Sequence, residues 1–303
     1  MASLAEEIQR EVQTSSSRTP VILVPMKWED FDDTSLKAFI PNVHTLRGKD
    51  VMFLACFDSG KAIVDQLSVI YALPKYGVRS LTVVLPYFPG TMDRAQRPGE
   101  IVTAMTLARM LSAIPPCFNG GPAQIVIYDI HDLREWHYFG DSVVVRLESA
   151  IPLLCQTLPD KNRAHTIAIA FPDDGARKRF AHMFEGYPHI ICDKIRQGDE
   201  RIVTIREGNP HGMHVIIFDD LVMSGGTILE CTKALFKAGA LTVGAKVSHG
   251  IFPKYSWKKF LDAGLDSFEI TNSFPRTARA VQGKGPFAVV SLAPSITHII
   301  LES

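Results

Sequence analysis

A C-x-x-C pair is absent from this 303-residue sequence, and its five cysteines (Cys56, Cys117, Cys155, Cys192, Cys231) are odd in number and widely scattered. That scatter argues against a thiol-ligated zinc site and against a disulfide framework, and for a reducing compartment. The expected location is cytoplasmic. An excess of charge is missing as well: Lys plus Arg number 32, and so do Asp plus Glu. A chain so balanced has no bulk attraction to nucleic acid or to an anionic membrane, and neither is expected as a partner. Runs of the roughly 18 apolar residues that a spanning helix needs do not occur. The first 19 residues mix acids with bases around no long apolar core, so they predict a short helix and a polar linker rather than a signal peptide.

What is present is the composition of a packed globular protein, 46% hydrophobic and 21% charged. The length suits two domains of ordinary size or one large α/β domain. Short apolar runs at 51–57, 81–88, 125–131, 166–175, 214–221 and 241–252 predict buried strands, with helix-length segments between several of them. In 100–113, Ile101, Met105, Ala108 and Leu111 fall on one face at helical spacing. In 225–239, Ile228, Cys231, Leu235 and Ala238 do the same, with Gly239 as the stop. Strands alternating with helices predict largely parallel sheets covered on both faces. Both halves repeat one grammar, an apolar strand with acids at its carboxyl end and then a helix. Two similar α/β domains are therefore expected, with the boundary in 146–165.

In such sheets ligands bind outside the carboxyl ends of the strands, and three strand ends carry unusual chemistry. The run "VIIFDDLVMSGGT" ends a strand in Asp219 and Asp220 and continues into Ser224, Gly225, Gly226 and Thr227. Glycines let backbone N–H groups cradle a phosphate, and a helix N-terminus adds favourable partial charge. The two carboxylates do not favour phosphate, so they are expected at ribose hydroxyls, which makes a sugar phosphate the expected ligand. The plain alternative is a capped helix with a solvated Asp220. In "FPDDGARKRF", Asp173 and Asp174 precede Gly175, with Arg177, Lys178 and Arg179 beyond. Here the helix start suits a pyrophosphate and an acid suits Mg²⁺; otherwise it is a turn with a solvated basic face. In "YDIHDLREWHYFGD", Asp129 and His131 alternate at a strand end, so they are expected on one side, to ligate or orient a divalent ion. The alternative is a structural histidine. The stretch 191–208 alternates charged and apolar residues and predicts a hairpin turning at Gly198-Asp199. No Ser/His/Asp arrangement or activated cysteine stands out, which suits phosphoryl transfer, where positioning and charge neutralisation dominate.

Across nearly its whole length the chain resembles the ribose-phosphate pyrophosphokinases. "VIIFDDLVMSGGT" is similar to the phosphoribosyl-pyrophosphate motif that type I phosphoribosyltransferases share. "LTVVLPYFPGTMDR", "IYDIHDLREWHYFGD" and "FPDDGARKRF", in that order, separate the two families. The phrases "LPYFP", "YDIH" and "EGNP" most resemble the phosphate-independent class II enzymes. The resemblance implies two phosphoribosyltransferase-like domains, divided here as 1–19 (helix and linker), 20–155 and 156–303. It implies transfer of the pyrophosphoryl group of ATP to ribose 5-phosphate, with Mg²⁺, in a homo-oligomer. Asp219, Asp220, Ser224, Gly225, Gly226 and Thr227 would then bind ribose 5-phosphate. Asp33, Arg94, Asp129 and His131 would serve ATP, Asp129, His131 and Asp173 the metal, and Asp174 and Gly175 the pyrophosphate region. "CDKIR" aligns with the family's catalytic loop, which makes Lys194 and Arg196, with His131, the catalytic residues.

Two departures bear on the nucleotide. "GTMDRAQR" replaces an Arg-Gln pair that follows "PYFPY" in class I enzymes, and "FDDTS" places Ser35 where an acid normally meets adenine. Two rivals belong to other classes. A non-catalytic regulatory homologue would have no use for loop cations, and a phosphoribosyltransferase would need a nucleobase hood that no segment supplies.

Overall fold

The computed structural model describes residues 1–15, 20–90, 99–158, 166–197 and 200–302, with side chains omitted for 194–202. The chain divides into two compact units, residues 1–149 with 293–303, and residues 150–292.

The first unit opens with helix α1 (Ala2–Thr14), whose Leu4, Ile8 and Val12 are buried at a spacing of four. An antiparallel hairpin of β1 (Lys27–Asp30) and β2 (Leu36–Phe39) follows. Next come β3 (Asp50–Leu54), α2 (Gly60–Ala72), β4 (Ser80–Leu85), α3 (Thr103–Ser112), β5 (Ala123–Tyr128) and β6 (Val143–Glu148). Strands β3-β4-β5-β6 pair in sequence order, all parallel. That arrangement requires a crossover after each strand, and α2 and α3 supply two of them. β4 and β5 are buried on both faces over residues 83–85 and 125–128, as those unbroken apolar runs require.

The second unit contains α4 (Ile151–Cys155), β7 (Ile167–Phe171), α5 (Asp174–Phe180), β8 (His189–Gln197) and β9 (Glu200–Glu207). It continues through β10 (His214–Val222), α6 (Gly226–Lys237), β11 (Thr242–Gly250), β12 (Ser267–Thr271), α7 (Pro275–Val281) and β13 (Phe287–Val290). Its sheet runs β13-β12-β11-β10-β7-β8-β9, parallel except for the β8–β9 hairpin at one edge. Phe252, Phe260, Phe268 and Phe287 pack mostly edge to face on one side of it, among the residues of its larger core. The final helix, α8 (Ala293–Glu302), belongs to the first unit, where it packs on α1 and where Ser295 meets the buried Tyr128 hydroxyl at 2.9 Å. The expected division had placed 293–303 with the second domain and the boundary at 155/156.

The expected α/β class, with largely parallel sheets flanked by helices, is what the structure has. One helical face differs. In α3 the buried residues are Ala104, Leu107, Ala108, Leu111 and Ser112, while Ile101 is 79% and Met105 43% exposed. The helix begins at Thr103, so Ile101 precedes it. Ala108 and Leu111 are buried as expected, and on the same face Ala104 N lies 3.1 Å from where a Cβ on Gly90 would stand. Most of the α6 face holds: Ile228, Cys231 and Leu235 are buried, while Ala238 is half-buried as the residue that caps the helix, and Gly239 follows it at φ 92°. Among the described residues no helix is long and apolar enough to cross a membrane.

Candidate active site

In the second unit, β7 and β10 are neighbours in the sheet and both deliver acids at their carboxyl ends. Asp219 and Asp220 lie within β10, and consecutive strand residues face opposite sides. Asp220 is 5% exposed and accepts from Arg179 of α5 at 2.7 Å. Asp219 is half-buried, and its Oδ1 accepts the N–H of Asp220 at 3.0 Å. The loop that follows turns into α6 at Gly225, in the left-handed region at φ 85°. A Cβ there would stand 2.4 Å from the Phe260 ring, so conformation and space both demand glycine. Gly225 offers no capping side chain, and no acid occupies the first turn of α6. The N–H groups at such a helix start suit an anion. Ser224 and Gly226 are exposed beside it, and Thr227 is half-buried.

At the end of β7, Asp173 caps α5, its Oδ1 accepting from Ala176 N at 3.0 Å. A Cβ on Gly175 would come within 3.1 Å of that oxygen, so glycine leaves the cap uncrowded. Asp174 sits among cations, with Lys178 at 2.7 Å, Arg177 at 2.9 Å and Arg206 of β9 at 3.3 Å. Lys178 first, then Arg177 and Arg206, hold its carboxyl well below the usual carboxylate range. Arg206 also reaches Asp193 of β8 at 3.2 Å, which ties the edge hairpin to the start of α5. Lys194 and Arg196 lie in β8, their backbones opposite Val203 and Arg201. Their side chains fall outside the described residues.

In the first unit, Asp129 follows β5 with φ 38°, a left-handed conformation that Asp tolerates better than most residues. Its N–H donates to Glu148 O at 2.8 Å, and its buried carboxylate accepts the Ser149 hydroxyl at 2.7 Å. The turn at Asp129 breaks the strand alternation on which a shared side with the half-buried His131 was expected. Asp33 lies in the exposed β1–β2 turn, where its Oδ1 accepts both the hydroxyl and the N–H of Ser35, at 2.5 and 3.0 Å. Those hydrogen bonds lower its pKa. Arg94 lies outside the described residues.

Three participants went unread in the sequence. Arg179 stood as one of three helix-face cations, and nothing local separates it from Arg177 and Lys178, which turn to Asp174. Ser149 and Arg206 reach their acids only through strand pairing.

A parallel α/β protein with a glycine-bound loop between a strand end and a helix start belongs to the class that handles phosphorylated ligands at strand ends. Residues 1–114 match the N-terminal domain of ribose phosphate pyrophosphokinase. Ribose-phosphate pyrophosphokinase 4 of Oryza sativa subsp. japonica is 49% identical over 306 residues, covering 98% of this chain and 93% of that protein. The chloroplastic ribose-phosphate pyrophosphokinase 3 of the same plant is 47% identical over 308 residues, covering 99% of this chain and 74% of that one. The crystal structure of phosphoribosylpyrophosphate synthetase from Mycobacterium smegmatis superposes with a TM-score of 0.79 at 22% identity, over 99% of this chain and 94% of that chain, a likeness of fold. The chain belongs to the ribose-phosphate pyrophosphokinase family.

Proposed function

We propose that the protein transfers the β,γ-pyrophosphoryl group of ATP to the C1 hydroxyl of ribose 5-phosphate, as a phosphate-independent enzyme of the class II type. The products are 5-phosphoribosyl 1-pyrophosphate, for nucleotide biosynthesis, and AMP. The observation that carries the reading is the β10–α6 connection: Gly225 is held in a left-handed turn against Phe260, ahead of a helix start with no capping side chain. In this reading Ser224 to Thr227 bind the 5-phosphate, and Asp219 and Asp220 orient the sugar through its hydroxyls. The C1 oxygen attacks the β-phosphorus, the bond from that phosphorus to the bridging oxygen breaks, and AMP leaves with that oxygen. Lys194 and Arg196 stabilise charge on the transferred group, where one well-placed donor contributes about 3 kcal/mol. His131, Asp129, Asp33 and Arg94 serve the ATP side, and Asp174 and Gly175 the pyrophosphate region.

Family members generally need a metal, and Mg²⁺ is the metal proposed here, with Asp129 and His131 in the first unit and Asp173 in the second each taken, by itself, as a residue for it. The donors suit it. Mg²⁺ is held by one or two carboxylates together with substrate phosphates rather than by a closed cage. Bound Mg²⁺ neutralises charge on the ATP phosphates.

Exposed Trp28, Phe31 and Phe39 on the β1–β2 hairpin support assembly into a homo-oligomer, which light scattering on a sizing column tests. Five free thiols suit a reducing compartment, and the cytoplasm is the proposed one; fractionation decides between it and an organelle. The test of activity is AMP release from ATP and Mg²⁺, with and without ribose 5-phosphate, in phosphate-free buffer. Release that depends on ribose 5-phosphate supports enzyme and subclass together. Activity only after phosphate is added overturns the subclass, and silence in both buffers overturns the enzyme.

A further inference from the structure

The reaction proposed above uses no sulfur, yet two of the five thiols meet in the core of the second unit. Cys192 on β8 and Cys231 on α6 are fully buried, with their Sγ atoms 3.4 Å apart. Ile190, Val203 and Leu235 belong to the same apolar cluster. A thiol pair at this separation is close to a covalent bond, because a disulfide needs the sulfurs at about 2.05 Å.

We propose that Cys192 and Cys231 are a modification site for hydrogen peroxide, closing reversibly into a disulfide that ties β8 to α6. Access comes from the edge of the sheet. β9 pairs only with β8, so opening this hairpin uncovers Cys192 without dismantling the parallel strands. The Cys192 thiolate attacks one peroxide oxygen, the O–O bond breaks, and hydroxide leaves and is protonated to water. The sulfur of Cys231 then attacks the Cys192 sulfenic acid. The S–O bond breaks, the S–S bond forms, and the departing hydroxide takes the Cys231 proton. Two thiols lose two electrons in all, and one peroxide becomes two waters. The chemistry favours this pair over Cys155 and Cys117. The hydrogen bond with Cys231 lowers the pKa of Cys192, whereas burial pushes Cys155 up to about 11 and raises Cys117.

The consequence for turnover rests on the function proposed above. β8 carries Lys194 and Arg196, and α6 starts at the proposed 5-phosphate loop. Closing the sulfurs draws these two elements together by an ångström or so, and a displacement of about 1 Å costs up to 10²-fold in rate.

The experiment treats the reduced full-length protein with hydrogen peroxide, alkylates the remaining thiols after denaturation, and maps peptides by mass. Expected is a Cys192–Cys231 cross-linked peptide, lighter than the reduced pair by two hydrogens and reopened by dithiothreitol. AMP release should fall at least tenfold with its formation and recover on reduction. Cys231→Ser should keep turnover and hold it through peroxide. Should that variant not fold, the peptide map of the unaltered protein decides alone. Oxidation of Cys56, Cys117 or Cys155 while Cys192 and Cys231 stay alkylatable overturns the site. A cross-link with unchanged AMP release overturns its coupling to turnover. Reduced protein that releases no AMP in response to ribose 5-phosphate overturns the function, and the peptide map still judges the site.

Discussion

Arg179 of α5 donates to Asp220 of β10 across 2.7 Å, in a pair whose side chains are 19% and 7% exposed. Forty-one residues apart, they meet because β7 and β10 lie side by side and α5 follows β7. The guanidinium fixes the direction of a nearly buried carboxylate. Arg179 is thus a positioning residue for Asp220.

Arg179→Ala should destabilise the protein by about 3 kcal/mol, because truncating one partner breaks a nearly buried ion pair. Denaturant titration reads this directly. The KM for ribose 5-phosphate should rise by more than kcat falls, and Arg179→Lys should recover part of that rise. An unchanged KM in the lysine and alanine variants alike would remove the positioning role.

At Gly225 a methyl group faces two obstacles, the left-handed φ of 85° and the Phe260 ring 2.4 Å away. Gly225→Ala should cost about 2 kcal/mol or more from the backbone alone. Weaker binding of ribose 5-phosphate should accompany the loss, measurable by calorimetry. Gly226 offers the comparison, since a Cβ there meets nothing within 4 Å. If the two alanine variants lose stability equally, the close approach to Phe260 is not what fixes glycine at 225.

Lys194→Ala should lower ribose 5-phosphate-dependent AMP release by about 10²–10³-fold, the loss expected of one transition-state donor. Binding of ribose 5-phosphate should stay within a few-fold of the parent. Retained turnover would mean that the "CDKIR" stretch is not the catalytic loop.

Asp174 gives a pH signature. Its carboxyl is held low in the folded protein by Lys178, Arg177 and Arg206. A depressed folded pKa stabilises above the unfolded value, and that contribution disappears as pH falls through the folded value. Asp174→Asn should therefore be less stable than the parent at neutral pH. The gap should close as pH drops below the ordinary carboxylate range and the parent's own carboxyl protonates. Urea midpoints across that range check it, and a gap independent of pH would assign the effect to something other than the charge.

The strands that build the site were legible because apolar runs bounded by acids and glycines have few other solutions. β10 was expected at 214–221 and spans His214–Val222. The buried face of α6 was legible for a similar reason, since Ile228, Cys231 and Leu235 are large enough to mark it. The face of α3 was legible in part: Ala108 and Leu111 are buried as expected, but Ile101 precedes the helix and Met105 faces out, while Ala104, close against Gly90, is too small to mark the face. Lys246 of β11 is another case. It sits in an apolar run, 3% exposed, and only the structure reveals the partner, Glu269 of β12 at 2.5 Å.

By itself the sequence determined the alternation of strands and helices, the acids and glycines at the strand ends, and through its motifs the family. Those are properties of neighbours along the chain, fixed by side-chain period and turn chemistry. Tertiary structure decided which cation each carboxylate receives. Among three consecutive basic residues, two turn back to Asp174 and Arg179 reaches Asp220, a choice made by the pairing of β7 with β10. It also decided that Asp129 leaves its strand in a left-handed turn and that Cys192 and Cys231 touch. Such contacts join residues far apart in sequence, and they depend on strand order and backbone conformation, which residue spacing does not encode.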